Sequence, residues 1–478
     1  MLSLPQINAR LNGEHARSLA GRMRGELIDP GDAGYERARA VWNGMIDRYP
    51  ALIARCEDVE DVVAAVDFAR AHGLPLAVRG GGHNVAGHGT CDEGLVIDLS
   101  TMNQVEVDPV ARVARVGGGA TWGQVDAATQ VHGLAAPGGV FSATGVAGLT
   151  LGGGLGWLRN KYGLSCDNLI GAEVVTASGQ VVRASAAENA DLLWGLRGGG
   201  GNFGVVTTFE FQLHPVGPEV MFVFAFHDGG GDNMKRAIQL YRDYSASAPD
   251  EVSSILACGV IPPDPHAFPV DLHGRPFVLL GGLYAGPVEA GQRVLRPLRD
   301  FGAPLLDASG AMRYVDAQKM FDHDYPDGRR YYWKSLNLSR LDDDAIDRIV
   351  AHARRQPSPF NTTDLWHIGG AVKRASPAES AFNGRQAAFL LSPEANWDHP
   401  ADDAANIRWL REFIADMAPF SDGSRYLNFA GFQEEGDAMM RAAFGPQYQR
   451  LAALKAKYDP TNLFRLNQNI RPGQAGGE

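Results

Sequence analysis

The stretch "VRGGGHNVAGHG" at residues 78–89 sets two histidines, His83 and His88, into a backbone that is otherwise almost bare. A neutral imidazole is a nucleophile and a proton carrier, and glycines let the main chain approach whatever that imidazole touches. The chain has 58 glycines, clustered at residues 80–89, 117–123, 138–156 and 198–204. One such cluster reads as a tight turn. Four of them in the first half of the chain read as loops converging on one large flat ligand. By residue type alone each of the four cysteines, Cys166 included, reads as a buried small hydrophobe. Cys56, Cys91 and Cys258 read as packing residues; with no C-x-x-C pair, neither a disulfide framework nor a structural zinc site is expected.

The elements that must hold these residues alternate along the chain. "DVEDVVAAVDFARAHG" (58–73) reads as an amphipathic helix with Asp58 as its N-cap and Gly73 as its stop. "LPLAVRG" follows as a buried strand running into the His83 loop, and "GLVIDLS" (94–100) and "ARVARVGGGA" (111–120) read as further strands. "TWGQVDAATQVHG" (121–133) is a helix, "AEVVTASGQVVRAS" (172–185) a hairpin, and residues 188–216 a helix, a glycine loop and an alternating strand. Past residues 215–218 the glycine clusters stop, and a different unit runs to about residue 424. It holds "PFVLLGGLYAG" (276–286), a strand with a turn, and amphipathic helices at 287–302 and 402–419, the pattern of a sheet covered on one face. Residues 450–470 are a helix, an Asp-Pro stop and a short polar segment.

A net charge of −11 opposes binding to phosphate backbones and anionic lipid, so neither nucleic acid nor membrane is an expected partner. No apolar run is long enough to span a bilayer, and "MLSLPQINARLNGEHARSLAGRMRGE" at the start has no apolar h-region, which points to a cytoplasmic protein. A dinucleotide-binding G-x-G-x-x-G turn opens a helix. The His83 loop instead runs through "TCDEG" into a strand, so a nicotinamide enzyme is not expected.

Three segments in this order, "RGGGH" after a helix–strand unit, "GGGLGWLRNKYGLSCDNL" (152–169) and "YDPTNLFRLNQNI" (458–470), resemble the berberine-bridge-enzyme-like FAD-linked oxidases. These belong to the vanillyl-alcohol oxidase / p-cresol methylhydroxylase superfamily. The resemblance implies an α+β fold, with a two-part FAD-binding domain at 1–216 and 425–478 and an inserted substrate domain at 217–424. It implies FAD held covalently by His83 at the flavin 8α-methyl group and by Cys166 as a thioether at ring carbon 6. It assigns the cofactor wall to Arg79, Gly80, Gly81, Gly82, Asn84, Gly87, His88, Gly145, Gly148, Gly152, Gly153, Gly154, Gly156, Asn467 and Asn469, with no metal.

The same resemblance implies hydride transfer from a substrate C–H to flavin N5 and reoxidation by dioxygen to hydrogen peroxide. A C–OH group of a sugar, alcohol or secondary metabolite comes first. C–N oxidation or oxidative cyclisation, and a dehydrogenase using another acceptor, are the alternatives. The family's Tyr-x-Asn-Tyr segment survives in "SRYLNFAGF" (424–432) as Tyr426 and Asn428, with Phe429 replacing the second tyrosine; Tyr426 is the first choice of base. In "FDHDYPDGRRYYWKSLNLSRL" (321–341), alternation turns either Tyr332 with Lys334, or Tyr331 with Trp333, toward the reaction. The lysine would lower a tyrosine pKa. Trp366 with His367, and Tyr448, are further candidates. Leu169, three residues after Cys166, falls where the family admits dioxygen, and its bulk keeps the dehydrogenase reading open.

Overall fold

The computed structural model describes residues 13–431 and 436–473. Residues 1–12, on which part of the leader reading rests, lie outside it. Strand β1 (Leu52–Arg55), helix α1 (Val59–His72), strand β2 (Leu76–Arg79) and strand β3 (Leu95–Asp98) form the first layer. β3 lies between β1 and β2 and parallel to both. The expected caps are present: Asp58 Oδ1 accepts from the Asp61 amide at 3.0 Å, and Gly73 closes the helix at φ +62°. Losing such an N-cap costs about 1 kcal/mol. This unit fixes where β2 ends, and the His83 loop leaves from that end.

A five-stranded antiparallel sheet follows, built from Val105–Asp108, Val113–Gly117, Val205–Gln212, Leu169–Val175 and Val181–Ser185. The last two are the expected hairpin. Helix α2 (Trp122–Gln130) starts at a capping box between Thr121 and Gln124 and packs Trp122 and Val125 against this sheet.

The largest element is a nine-stranded sheet whose strands run from residue 219 to 397. Six of its strands are β4 (Glu219–Asp228), β5 (Val252–Val260), β6 (Pro276–Tyr284), β7 (Arg330–Trp333), which lies at one edge, β8 (Thr362–His367) and β9 (Phe389–Trp397). The expected turn in β6 is absent. Gly281 pairs with Phe224 on one side and Ile255 on the other, so a ladder on both edges keeps the strand straight.

Alternation sorts this sheet into two faces. Val223, Leu256, Leu280, Tyr332, Leu365 and Leu391 lie under helices such as α3 (Asp403–Met417). Phe222, Ile255, Leu279, Trp366 and Leu390 face the first unit, where they meet Trp157, Leu158 and Leu164.

The chain then returns. Helix α4 (Tyr448–Tyr458) packs Tyr448 and Leu451 into the core around Phe203. Lys455 is fully buried, and its Nζ donates to Asp459 Oδ2 at 2.7 Å and to the carbonyls of Asn202 and Phe464 at 2.8 Å. That charge-paired knot folds the last segment back, so that Phe464, Leu466, Asn467 and Gln468 reach the cavity described next.

Candidate functional site

Where the glycine loops, the inner face of the large sheet and the returning segment meet, they enclose one deep cavity. Its volume is about 1940 Å³ with the open mouth included. The His83 loop forms one wall through residues 79–85, and the segments 139–152 and 198–206 form another.

His83 projects into this space. Its ring stacks on Trp42 at 5.2 Å and 22° and meets Phe141 at 5.3 Å. Burial lowers its pKa to about 4, so the imidazole is neutral at physiological pH and has a free nitrogen lone pair.

The glycines work in two ways. A Cβ on Gly81 would lie 2.5 Å from the Gly145 amide nitrogen, so that pair exists to bring two loops into contact. A Cβ on Gly148 would meet nothing within 4 Å, so this residue leaves cavity space open. The amides of Gly81, Gly82, His83 and Asn84 have no acceptor among the described residues. Successive free amides of this kind make an anion-binding concavity. Across the cavity, Asn467 gives its Nδ2 to the Gly201 carbonyl at 3.0 Å and keeps a buried Oδ1 with no donor. Free amides, an orphaned amide oxygen and a neutral imidazole fit a dinucleotide with a reactive ring.

At the sheet end the wall is aromatic. Tyr325, Trp333 and Phe429 follow one another edge to face, with Trp333 at 5.4 Å from Tyr325 and 5.6 Å from Phe429, and Trp366 meets Phe429 at a tilt. Two carboxyls stand among these rings, Asp364 on β8 and Glu394 on β9. They are diagonal neighbours, since Thr362 pairs with Glu394 and Asp364 with Ser392. Both are buried. Glu394 accepts from the Tyr325 hydroxyl at 2.8 Å, whereas Asp364 Oδ1 has no donor among the described residues. Burial raises the Glu394 pKa to about 7; burial and then the Glu394 charge hold Asp364 well above its ordinary value. Both carboxyls therefore hold a proton more firmly than ordinary acids do. Sequence reasoning missed this pair. The available signal was an acid inside each of two otherwise closed strands, with Asp364 on the same parity as Trp366.

Of the residues expected at the cofactor, Arg79, Gly80, Gly81, Gly82, His83, Asn84, His88, Gly145, Gly148, Gly152 and Asn467 line the cavity. Arg79 does so with its stem, because its guanidinium is tied to Asp98 at 2.9 Å. Gly87, Gly153, Gly154, Gly156 and Asn469 lie behind the wall; a Cβ on Gly156 would sit 1.7 Å from the Gly138 carbonyl.

Cys166 is a correction. Its thiol is fully buried outside the cavity lining and lies 3.6 Å from Asp167, which is itself held by Arg385. Burial pushes its pKa up, so it is a protonated packing thiol rather than a thiolate poised for a thioether. Phe141, which carries no nucleophile, is the cavity residue whose ring meets His83 at 5.3 Å. Leu169 falls with Cys166: it is packed in the core of the first unit and does not touch the cavity.

Tyr332 and Lys334 are the second correction. Trp333 takes the cavity position on β7, so its neighbours turn to the other face, where the Tyr332 hydroxyl accepts from Arg411 on α3 at 3.1 Å. Tyr331 stacks on Trp42 at 3.7 Å behind the wall. His367 points away and meets Asn160 at 3.2 Å. Tyr448 is a core residue.

Tyr426 and Asn428 do line the cavity. The Tyr426 oxygen accepts from the amides of Gly154 and Leu155 at 3.2 and 3.1 Å and from Asn428 at 2.9 Å. Burial nevertheless raises its pKa to about 12, so the hydroxyl keeps its proton at neutral pH. Its visible work is to hold the loop after Gly153.

Comparisons with known proteins agree with this geometry. Residues 50–185 match the family model described as an FAD binding domain, and residues 425–471 match "Berberine and berberine like". An FAD-linked oxidoreductase of Dictyostelium discoideum is 31% identical over 91% of this chain and 91% of its own length. The chain is a berberine-like FAD-linked oxidoreductase. The family's (R)-6-hydroxynicotine oxidase from Paenarthrobacter nicotinovorans is 30% identical, covering 94% of this chain and 97% of that protein. The crystal structure of carbohydrate oxidase from Microdochium nivale superimposes with a TM-score of 0.83 at 26% identity, covering 97% of this chain and all of the other. The α+β fold expected from the sequence is the berberine-like fold. Among the described residues no helix is long and apolar enough to cross a membrane.

Proposed function

We propose that this berberine-like enzyme is an oxidase whose FAD is tethered through His83 alone, and that it takes a hydride from a carbon bearing N–H or O–H on a small molecule, with dioxygen as acceptor and hydrogen peroxide as product. The observation that carries the reading is the neutral imidazole of His83 in a glycine-walled cavity whose far wall holds the Asp364–Glu394 pair. When bound, FAD supplies a two-electron acceptor at its ring. The free amides at Gly81–Asn84 bind the pyrophosphate. His83, stacked on Trp42 and meeting Phe141 at a tilt, fixes the ring. The Asp364–Glu394 pair takes the heteroatom proton that must leave before or with the hydride.

The dehydrogenase alternative rested on Leu169, which does not touch the cavity, so the oxidase reading stands first. Names of relatives point the same way, one an amine oxidase by its substrate and one a carbohydrate oxidase. Anaerobic mixing with panels of amines, alcohols and sugars tests the proposal. A substrate should bleach the flavin, and air should restore it with one peroxide per turnover. Bleaching that air cannot reverse, while an artificial acceptor can, would replace the oxidase with a dehydrogenase.

A further inference from the structure

Resting on the reading above, we infer that the substrate is a small amine received as its ammonium, recognised by the Asp364–Glu394 pair inside the ring of Tyr325, Trp333, Phe429 and Trp366. Three observations carry this. First, the carboxyls meet no protein cation. The charged or titratable groups that act on Asp364 are Glu394 and Asp324, and the groups that act on Glu394 are Tyr325 and Ser392. Cys258 on β5 and Tyr331 on β7 also feel the pair, and neither is cationic. With one of the two acids ionised, the pair carries a negative charge that no ion pair among the described residues balances.

Second, Asp364 lines the cavity, and its buried Oδ1 has no donor among the described residues. An ammonium N–H is the donor it lacks. A sugar would ask for something different: several neutral donors and acceptors spread along the wall. Here the sheet wall offers Ile255 and aromatic rings instead.

Third, the rings suit a cation. Trp333 and Trp366 flank the carboxyls from β7 and β8, with Phe429 between them at 5.6 and 6.3 Å. Aromatic faces around a carboxylate form the usual box for ammonium groups.

The pair then does a second job. The ammonium proton passes to it: one N–H bond breaks, one O–H bond forms, the carboxyls go from one negative charge to none, and the amine goes from +1 to neutral. The lone pair released on nitrogen is what hydride loss from the adjacent carbon requires.

The test uses the flavin-loaded enzyme and two isosteric probes that cannot be oxidised, trimethylphenylammonium and tert-butylbenzene, with binding read as a perturbation of flavin absorbance. The cation is expected to bind roughly ten-fold or more tightly than the neutral isostere. The double variant Asp364→Asn/Glu394→Gln, which removes the charge whichever carboxyl carries it, should cut that preference to about two-fold or less while leaving the flavin spectrum intact. Equal binding of the two probes by wild-type enzyme would overturn the inference, and this comparison needs no variant to fold. The outcomes separate cleanly: enzyme with no tethered flavin fails the functional proposal, whereas a yellow enzyme that ignores probe charge fails only the amine assignment.

Discussion

Asp126 makes a stability prediction that tests how tightly the two units are sealed. It sits fully buried on α2, where its Oδ2 accepts from Gln318 of the unit built on the nine-stranded sheet at 3.0 Å. Its Oδ1 and the Gln318 Oε1 both lack a donor. Burial raises its pKa from 3.8 to about 7. The folded chain therefore keeps a proton that the unfolded chain releases. Stability is fullest below the unfolded value, falls as pH rises between the two values, and levels off above about 7. Each pH unit in that window costs about 1.4 kcal/mol, or roughly 4 kcal/mol in all by pH 8. Asp126→Asn has no proton to lose and can still accept from Gln318. Urea unfolding at pH 5 and pH 8 should show the variant gaining on wild type by about 2.5 kcal/mol between the two. A difference that does not change with pH would mean that Asp126 is ionised in the fold and that the seal is not dry.

The Asp364–Glu394 pair must lose its second proton to act, so kcat/KM should fall close to ten-fold per unit as pH drops below about 7. Glu394→Gln should abolish that limb in stopped-flow reduction, and a limb that survives would exclude Glu394 as its source. Cys166→Ala should retain its full complement of flavin in the acid pellet with an unchanged spectrum, because the thiol does not reach the cavity; loss of a covalent bond on that substitution would restore the double tether. Lys455→Met strands the buried Asp459 carboxylate. It should destabilise the protein by about 3–5 kcal/mol and lower the flavin content per chain, as read by denaturation and absorbance. A neutral result there would mean the returning segment is held elsewhere.

Much of the fold was legible because local rules and burial agreed. Asp58 and Gly73 are signals that a sequence prints directly, and the structure keeps both. The His83 loop was legible for the same reason: few folds have a use for that much bare backbone around an imidazole. What failed depended on facts that spacing does not carry. The choice between Tyr332–Lys334 and Tyr331–Trp333 on β7 is a one-residue question of parity, decided by which side chains α3 must cover. Cys166 looked reactive by the family resemblance, yet Asp167, Arg385 and the turn through Gly153 draw it out of reach. Phe141 was invisible because it has no reactive group, although its ring meets His83. Asp364 and Glu394 were hidden as ordinary strand residues until the cross-strand register placed them side by side.

The attachment of the cofactor is the most direct test. Protein precipitated with acid, washed, digested and analysed by mass spectrometry should give a yellow pellet and a single flavin-bearing peptide, the one containing His83, and His83→Ala should give a colourless pellet. All the flavin in the supernatant, or flavin mass on the peptide containing Cys166, would contradict the account.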